Sequence, residues 1–151
     1  MNIIIHNENE MNLIGVKIGR LLQGGELIDL IGDVGAGKTT LTKGIALGLG
    51  ITEEVQSPSF TISRTYEARN NLTLVHYDFY RLDDPGIMKD TLKETLDDDN
   101  CINVIEWSDI VKEVITGDRI AITFTSIDEN TRNLQITIYG KIKHNIFDTL
   151  K

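Results

Sequence analysis

Two kinds of apolar pattern alternate along the chain. Short runs rich in β-branched residues and bounded by glycine, proline or polar clusters are typical of strands, whereas apolar residues three or four positions apart are typical of amphipathic helices. The short runs predict seven strands, at residues 3–5, 27–31, 61–67, 72–81, 101–107, 119–125 and 133–139. The helical spacing predicts four helices, at residues 9–22, 41–49, 83–99 and 108–116, and the last dozen residues are weakly patterned.

One glycine-rich segment joins the second predicted strand to the second predicted helix. Residues Gly32–Thr40 have the complete spacing G-x-x-x-x-G-K-T in the strand–loop–helix context of a phosphate-binding loop. In such a loop, backbone N–H groups and the positive end of the helix bind an anion, Lys38 reaches the β- and γ-phosphates, and Thr39 binds Mg²⁺. The segment therefore predicts binding of a nucleoside triphosphate with Mg²⁺. The expected contacts are Gly35, Ala36, Gly37, Lys38, Thr39 and Thr40.

These elements predict one α/β domain that spans residues 1–151. The strand–helix–strand unit around the glycine loop implies parallel pairing there. The last two strands, separated by Asp128–Thr131, have the pattern of an antiparallel hairpin at the edge of the sheet. We expect a P-loop NTPase-like architecture of three layers, with a mixed, mostly parallel central sheet of about seven strands.

Two carboxylates stand where buried strands end. Asp78 belongs to the polar end of the run 72–81, and Glu106 closes the apolar run that begins at Cys101. Carboxylates at such positions hold water around Mg²⁺ or act as general bases in P-loop enzymes, so both are candidates for catalysis and for metal binding. Extended backbone would place His76 on the same face as Asp78, but a hydrogen-bonded structural histidine is the interpretation we favour.

A hydroxyl-rich loop, Gln56–Thr61, follows the helix of the glycine loop. In many nucleotide switches a serine or threonine at this place lies near the γ-phosphate and responds to hydrolysis. Ser57 and Ser59 are therefore candidate switch residues. An ordinary turn around Pro58 explains the same residues equally well.

Composition narrows the choice of partners and compartment. The net charge of −8 argues against a broad nucleic-acid-binding face, so action on RNA would go through a partner protein, and no DNA binding is expected. The single cysteine, Cys101, cannot form an internal disulfide. The N-terminus lacks the features of a signal peptide, and no apolar stretch approaches membrane-spanning length. We therefore expect a cytoplasmic protein that does not engage membranes.

Four segments together resemble the signatures of the bacterial TsaE family, in the order and chain length of that family. They are Gly32–Thr40, Ser57-Pro58-Ser59-Phe60, His76-Tyr77-Asp78-Phe79-Tyr80-Arg81-Leu82 and Ile105-Glu106-Trp107. The glycine loop alone is generic, whereas the H-x-D-x-Y-R segment and the Glu-Trp pair are specific in combination. The resemblance implies a small Mg²⁺-dependent ATPase needed for threonylcarbamoyl modification of the adenosine beside the anticodon of tRNA. It also implies TsaB and TsaD as partner proteins, with tRNA reached indirectly through their complex.

The resemblance further implies roles for individual residues. Lys38 and the loop amides would hold the phosphates, Thr39 and Glu106 would hold Mg²⁺, and Asp78 would lie close by and order a water molecule or act on the switch. The segment Ser57–Phe60 would be the switch. Met11 and Arg132 would lie beside the nucleotide. Trp107 would lie next to the site and report bound nucleotide by fluorescence.

The chain departs from the family pattern at three positions. Gln56 and Ser59 stand where the family usually has threonine, and Ser59 keeps the hydroxyl but loses a methyl group that restricts its rotamers. Met11 also replaces a usual threonine, so a side-chain hydrogen bond to the base is lost there and only packing against it remains.

Two other functions compete with a partner-dependent ATPase. A P-loop small-molecule kinase closes an arginine-bearing lid over the transferred phosphate, but the arginines after the loop are scattered and the natural lid region, residues 83–99, is acidic. A nucleotide-dependent binding module without useful hydrolysis is also compatible, because Asp78 and Glu106 could serve metal binding alone.

Overall fold

The computed structural model describes residues 1–58, 60–142 and 146–150. The seven predicted strands are present. They are β1 (Asn2–Ile5), β2 (Leu27–Ile31), β3 (Ser63–Glu67), β4 (Thr73–Asp78), β5 (Cys101–Glu106), β6 (Arg119–Ser126) and β7 (Arg132–Tyr139). The helices are α1 (Glu8–Leu21), α2 (Lys38–Gly48), α3 (Gly86–Leu96) and α4 (Ile146–Leu150), with short 3₁₀ helices at Arg69–Asn71 and Ser108–Val111. No helix of the described residues combines the length and the apolar character needed to cross a membrane.

The strands form a single mixed sheet in the order β1-β7-β6-β2-β5-β4-β3. Strand β2, which leads into the glycine loop, lies between β5 and β6 and is parallel to both. Strand β4 is parallel to β5, and the pairs β1–β7, β6–β7 and β3–β4 are antiparallel. Because parallel strands end at the same edge of a sheet, the ends of β2, β4 and β5 meet at one place.

Helices cover both faces of the sheet, as the three-layer prediction requires. On one face, α1 and α2 pack against inward-facing aliphatic side chains of β2, β5 and β6, such as Ile28, Val104 and Ile122. On the other face, α3 packs against β5, with Leu92 buried beside Tyr77 and Ile105. Strands β2, β4 and β5 contribute residues to both cores, which is the pattern expected of strands buried on both sides.

The prediction of a mixed, mostly parallel sheet is confirmed, because all strands except β3 and β7 run in the same direction. Two other details of the prediction are wrong. The strand that follows the glycine-loop helix, β3, does not pair with β2 but forms the far edge, antiparallel to β4. The helix predicted at 108–116 is only a 3₁₀ turn as far as Val111 followed by turns, because β-branched residues such as Val114 and Ile115 disfavour helix.

Helices α1 and α2 pack backbone against backbone along what we call the glycine seam, formed by Gly15 and Gly19 of α1 with Gly44 and Gly48 of α2. A methyl group built on Gly15 would stand 2.5 Å from the carbonyl oxygen of Leu41, and methyl groups on the other three would overlap the backbone of the facing helix. Only residues without a side chain permit this approach. The seam fixes α1 against α2 and, with it, the residues that α1 presents to the glycine loop.

Arg69 holds the ends of the same two helices. Its guanidinium donates hydrogen bonds to the carbonyls of Gly19, Arg20 and Leu22 at the end of α1 and to that of Gly48 in α2, at 2.8 to 3.2 Å. Carbonyls at helix ends lack partners within the helix, and a cation there also interacts favourably with the helix dipole. One side chain therefore satisfies both helix ends from outside.

Candidate functional site

The glycine loop has the backbone shape that an anion-binding loop requires. Gly35 and Gly37 have φ values of 80° and 107°, a left-handed conformation that favours glycine. Gly37 precedes the first residue of α2, and no side chain caps that helix end. The first amide groups of α2 are therefore free of a capping side chain and point towards the loop, which is the arrangement in which a helix N-terminus binds phosphate.

Lys38, the first residue of α2, has its ammonium group folded back into the loop. The Nζ donates a 2.7 Å hydrogen bond to the carbonyl of Gly32, lies 4.2 Å from the centroid of the Trp107 ring, and is 3.9 Å from Oε1 of Glu106. The residue is only 5% exposed. Burial lowers the pKa of the Lys38 ammonium, and the negative charges of Glu106 and Asp78 oppose that shift.

The two predicted carboxylates are brought together by the sheet. Asp78 and Glu106 are directly opposite in the parallel pair β4–β5, so their side chains leave the same face of the sheet. Both are buried. One oxygen of Asp78 accepts a hydrogen bond from the backbone N–H of Tyr80 at 3.0 Å, which fixes that carboxylate at the end of its strand.

His76 lies in the same group of side chains. Its ring is completely buried, and Nε2 is 2.7 Å from Oε2 of Glu106. The interpretation of His76 as a hydrogen-bonded histidine therefore holds, but the partner is a candidate catalytic carboxylate. The distance corresponds to a short, charge-assisted hydrogen bond.

These side chains line an open cleft of about 450 Å³, which we call the lysine cleft. Its lining includes three parts of the predicted site: the glycine loop, the switch serine and both carboxylates. The residues are Val34, Gly35, Gly37, Lys38, Thr39, Thr40, Ser57, Asp78, Tyr80, Arg81, Glu106, Trp107 and Glu8. Thr39 and Thr40 are half-buried at its floor. Ser57 is exposed and lies in its wall, whereas Ser59 lies outside the described residues.

A second cleft of about 520 Å³ adjoins the first and shares four residues with it; we call it the methionine cleft. It is lined by Ile5, His6, Asn7, Glu8, Met11, Gly35, Ala36, Gly37, Thr40, Glu129, Asn130 and Arg132. The two nucleotide-binding residues expected away from the loop, Met11 and Arg132, therefore lie together beside it.

Both of these residues are held in place by their surroundings. The methyl carbon of Met11 would be 2.9 Å from a Cβ on Gly37, so the methionine lies directly against the loop backbone. One terminal nitrogen of Arg132 donates to the carbonyl oxygen of Asp128 at 2.9 Å, in the turn between β6 and β7. The positive charge of Arg132 thus stays at the rim of the cleft.

Several cleft residues were not predicted from the sequence. Tyr80 packs against Trp107, with ring centroids 4.8 Å apart, and the guanidinium of Arg81 lies 4.7 Å from the centroid of Phe60. Glu8 borders both clefts. The alternation of polar residues after β4 offered a signal for Tyr80, because it shares a face with Asp78. Nothing local marked Glu8, which reaches the site only through the packing of α1.

Comparison with known proteins agrees with this geometry. The family model described as "Threonylcarbamoyl adenosine biosynthesis protein TsaE" matches residues 5–134, which include the glycine loop, both carboxylates and Arg132. The chain belongs to the TsaE family. The family prediction made from the four segments is therefore confirmed.

Individual TsaE proteins are similar over most of the chain. The tRNA threonylcarbamoyladenosine biosynthesis protein TsaE of Bacillus subtilis is 34% identical, with 89% of this chain and 83% of that protein covered. TsaE of Treponema pallidum is 36% identical, with coverages of 81% and 89%. The crystal structure of Bacillus subtilis YdiB matches with a TM-score of 0.74 at 30% identity and covers 91% of this chain and 84% of that one. The similarity to known proteins therefore holds for the fold as well as for the sequence.

Proposed function

We propose that this TsaE-family protein is a Mg²⁺-dependent ATPase subunit for threonylcarbamoyl modification of the adenosine beside the anticodon in tRNA. In this proposal it acts with TsaB and TsaD and reaches tRNA only through their complex. One observation carries the proposal: Lys38, Glu106 and Asp78 converge on the uncapped N-terminus of α2 within one cleft. The names of the similar proteins supply the pathway.

The lysine cleft would receive the triphosphate. The loop amides and the N-terminus of α2 provide hydrogen-bond donors and partial positive charge without a competing cap. Lys38 would exchange its hydrogen bond to the Gly32 carbonyl for the β- and γ-phosphates, since its ammonium already lies in the loop. Its burial strengthens this interaction, because an ammonium shielded from water attracts phosphate more strongly.

The residues at the floor of the cleft fit Mg²⁺. The described residues contain no group of three or more His, Cys, Asp or Glu side chains that could hold a metal by themselves. Mg²⁺ uses one or two carboxylates, water and substrate phosphates rather than an all-protein cage, so the hydroxyl of Thr39 with Asp78 and Glu106 is a suitable oxygen donor set. When bound, the ion would neutralise charge on the phosphates and orient them.

The carboxylates would supply the remaining chemistry. Glu106 lies in the cleft beside Lys38 and could accept a proton from an attacking water or orient it. Asp78, fixed by the Tyr80 amide, could hold a second water at the metal side. Ser57 lines the cleft and, in this proposal, would respond to the γ-phosphate as a switch residue.

The methionine cleft would receive the nucleoside. Met11 offers an apolar, polarisable thioether for packing against a base, and Arg132 offers a cation at the rim. The clefts share Gly35, Gly37 and Thr40 of the loop and α2, together with Glu8, so one nucleotide would extend from one cleft to the other across the loop.

The first experiment is to measure Mg²⁺-dependent ATP hydrolysis by the protein alone and then with its TsaB and TsaD counterparts. We expect low turnover alone and a rise when the pair is present, with Glu106→Gln as a control of reduced but measurable turnover. Threonylcarbamoylation of tRNA in the reconstituted mixture is the second readout. Turnover that ignores the pair, with no modified tRNA, would contradict the proposed role and leave an ATPase of other purpose.

The kinase alternative gains no support from the described residues. The acidic segment considered as a lid forms α3, which packs on the sheet through Leu92. Of the arginines in the described part of the chain, only Arg81 and Arg132 line the two clefts, and the guanidinium of Arg81 is stacked on Phe60. A screen for phosphoryl transfer to sugars, nucleosides and amino acids by the protein alone tests it directly.

A further inference from the structure

We propose that His76 is a positioning residue that sets which oxygen of Glu106 faces the lysine cleft. The proposal deepens the ATPase function above and rests on it. It starts from one contact, the 2.7 Å separation of His76 Nε2 and Glu106 Oε2 between two side chains that are 0% and 4% exposed. Water does not compete for a bond buried to this degree, so the bond restricts the carboxylate strongly.

The chemistry of the two groups fixes the direction of this hydrogen bond. An ionised carboxylate only accepts hydrogen bonds, so Nε2 of His76 carries the proton and donates it to Oε2. The other ring nitrogen, Nδ1, is buried and has no hydrogen-bond partner among the described residues. A ring with its proton on Nε2 leaves Nδ1 as a bare acceptor, and within the described part of the chain the imidazole's hydrogen bond goes to Glu106.

The register of the sheet shows what this bond prevents. Glu106 is directly opposite Asp78, whereas His76 is opposite Val104, two residues earlier in the strand. Neighbouring strands are about 4.8 Å apart, so two carboxylates on the same face repel each other. The bond to His76 ties one oxygen of Glu106 to a residue two positions before Asp78 in β4, which would counter an approach of the two carboxylates.

The second oxygen of Glu106 is then left for the cleft. Oε1 is the atom that lies 3.9 Å from the ammonium of Lys38. With Oε2 occupied by the imidazole, Oε1 is the oxygen available to a water molecule or a metal-bound ligand. His76 thus acts through Glu106 and touches neither nucleotide nor metal, as the outer partners of catalytic carboxylates do.

The test is a double-mutant cycle on ATP turnover. His76→Leu removes the donor, and we expect kcat to fall about 10- to 100-fold, the usual effect of losing such a partner, while the Kd for ATP changes little. His76→Gln restores an N–H donor of similar reach and should recover most of the loss. In the Glu106→Gln background, His76→Leu should cause no further loss, because the group through which His76 acts is already altered.

Additive losses would overturn the proposal, as would equal losses of kcat in the Gln and Leu variants at matched thermal stability. If His76→Leu does not fold, an NMR measurement on the wild-type protein still tests the proposal. A long-range ¹⁵N–¹H spectrum should show the His76 ring protonated at Nε2, with its signal shifted in Glu106→Gln; protonation at Nδ1 instead would contradict the proposal. If the wild type hydrolyses no ATP, the ATPase function fails, and the spectrum still decides whether His76 is tied to Glu106.

Discussion

The ammonium of Lys38 donates a hydrogen bond to the carbonyl of Gly32, six residues earlier in the same loop. The bond closes the glycine loop around its own lysine, and the ring of Trp107 lies against the same ammonium. Lys38, which we propose contacts the anion, therefore also stabilises the loop in the conformation that would bind it.

Replacing Lys38 by alanine should weaken ATP binding about 10- to 100-fold, the loss expected for a charge-assisted hydrogen bond. Lys38→Arg is the matched control. It keeps the positive charge but replaces the compact ammonium group with a planar guanidinium, so it separates the effect of charge from that of geometry. Titration calorimetry with Mg²⁺-ATP gives both affinities. Unchanged affinity in Lys38→Ala would contradict the phosphate-binding role of the loop.

Substitutions of Glu106 and Asp78 should have different effects on turnover and on ATP affinity. Glu106→Ala should reduce Mg²⁺-dependent turnover more than it reduces ATP affinity, since Glu106 is the carboxylate beside Lys38. Asp78→Ala should retain a larger share of the turnover. Steady-state rates and nucleotide affinities, measured for both variants, test this assignment of roles. A larger loss of turnover in Asp78→Ala than in Glu106→Ala would exchange the roles of the two carboxylates.

Arg69→Ala should lower the free energy of unfolding by about 2 kcal/mol, because it leaves several helix-end carbonyls without their cationic donor. Arg64→Ala is the matched control: it removes the same charge from an exposed position in β3. Urea unfolding followed by circular dichroism compares the two. Equal stabilities would show that water satisfies those carbonyls as well as Arg69 does.

Gly15→Ala should also destabilise the protein, by about 1–2 kcal/mol. The added methyl meets backbone atoms of α2 that cannot move aside, and this overpacking outweighs the better helix propensity of alanine. Gly117→Ala serves as control, because a Cβ there meets nothing within 4 Å. The thermal unfolding midpoints of the two variants test whether α1 and α2 pack in direct backbone contact at the glycine seam. A Gly15→Ala protein more stable than the wild type would show that the seam has room for a methyl group.

Asp29 predicts a pH-dependent effect. It is 4% exposed in β2, lines a cavity of about 660 Å³ outside the two clefts, and its Oδ1 has no hydrogen-bond partner among the described residues. Burial raises the pKa of the Asp29 carboxyl above its ordinary value of 3.8, while a hydrogen bond from Ser108 and the charge of Arg119 oppose the rise.

The folded protein therefore binds this proton more tightly than the unfolded chain, and the wild type loses stability as pH rises from 3.8 through the raised pKa. Asp29→Asn lacks this loss. The free energy of unfolding of the variant relative to that of the wild type should grow as pH rises from 3.8 through the raised pKa of Asp29 and then level off. Urea unfolding over this range measures it, and a difference that shrinks with rising pH would reverse the assignment.

The parts of the structure that depend on neighbouring residues in sequence were predictable. The β-branched runs predicted the seven strands, and the contiguous loop Gly32–Thr40 identified the candidate anion-binding element between β2 and α2. Asp78 and Glu106 could be placed because parallel strands end at one edge, whatever the order of the strands between them.

What escaped prediction depends on contacts between distant segments. The position of β3 at the far edge follows from its pairing with β4, and no local pattern distinguishes that edge from a place beside β2. The tie between His76 and Glu106 spans 30 residues. The four-residue spacing of Gly15 with Gly19, and of Gly44 with Gly48, was visible in the sequence, but its meaning required knowing that α1 faces α2.

The glycine seam also links mutations far from the proposed nucleotide site to that site. Because backbone meets backbone there, neither helix can accommodate an added methyl group by a change of rotamer, and a whole helix has to shift. Helix α1 carries Met11, whose side chain rests on Gly37, so any such shift changes the width of the methionine cleft. A methyl group on Gly19, about 12 Å along α1 from Met11, should thus alter the methionine cleft, and with it the affinity for the nucleoside proposed to bind there, because the helix moves as a rigid body.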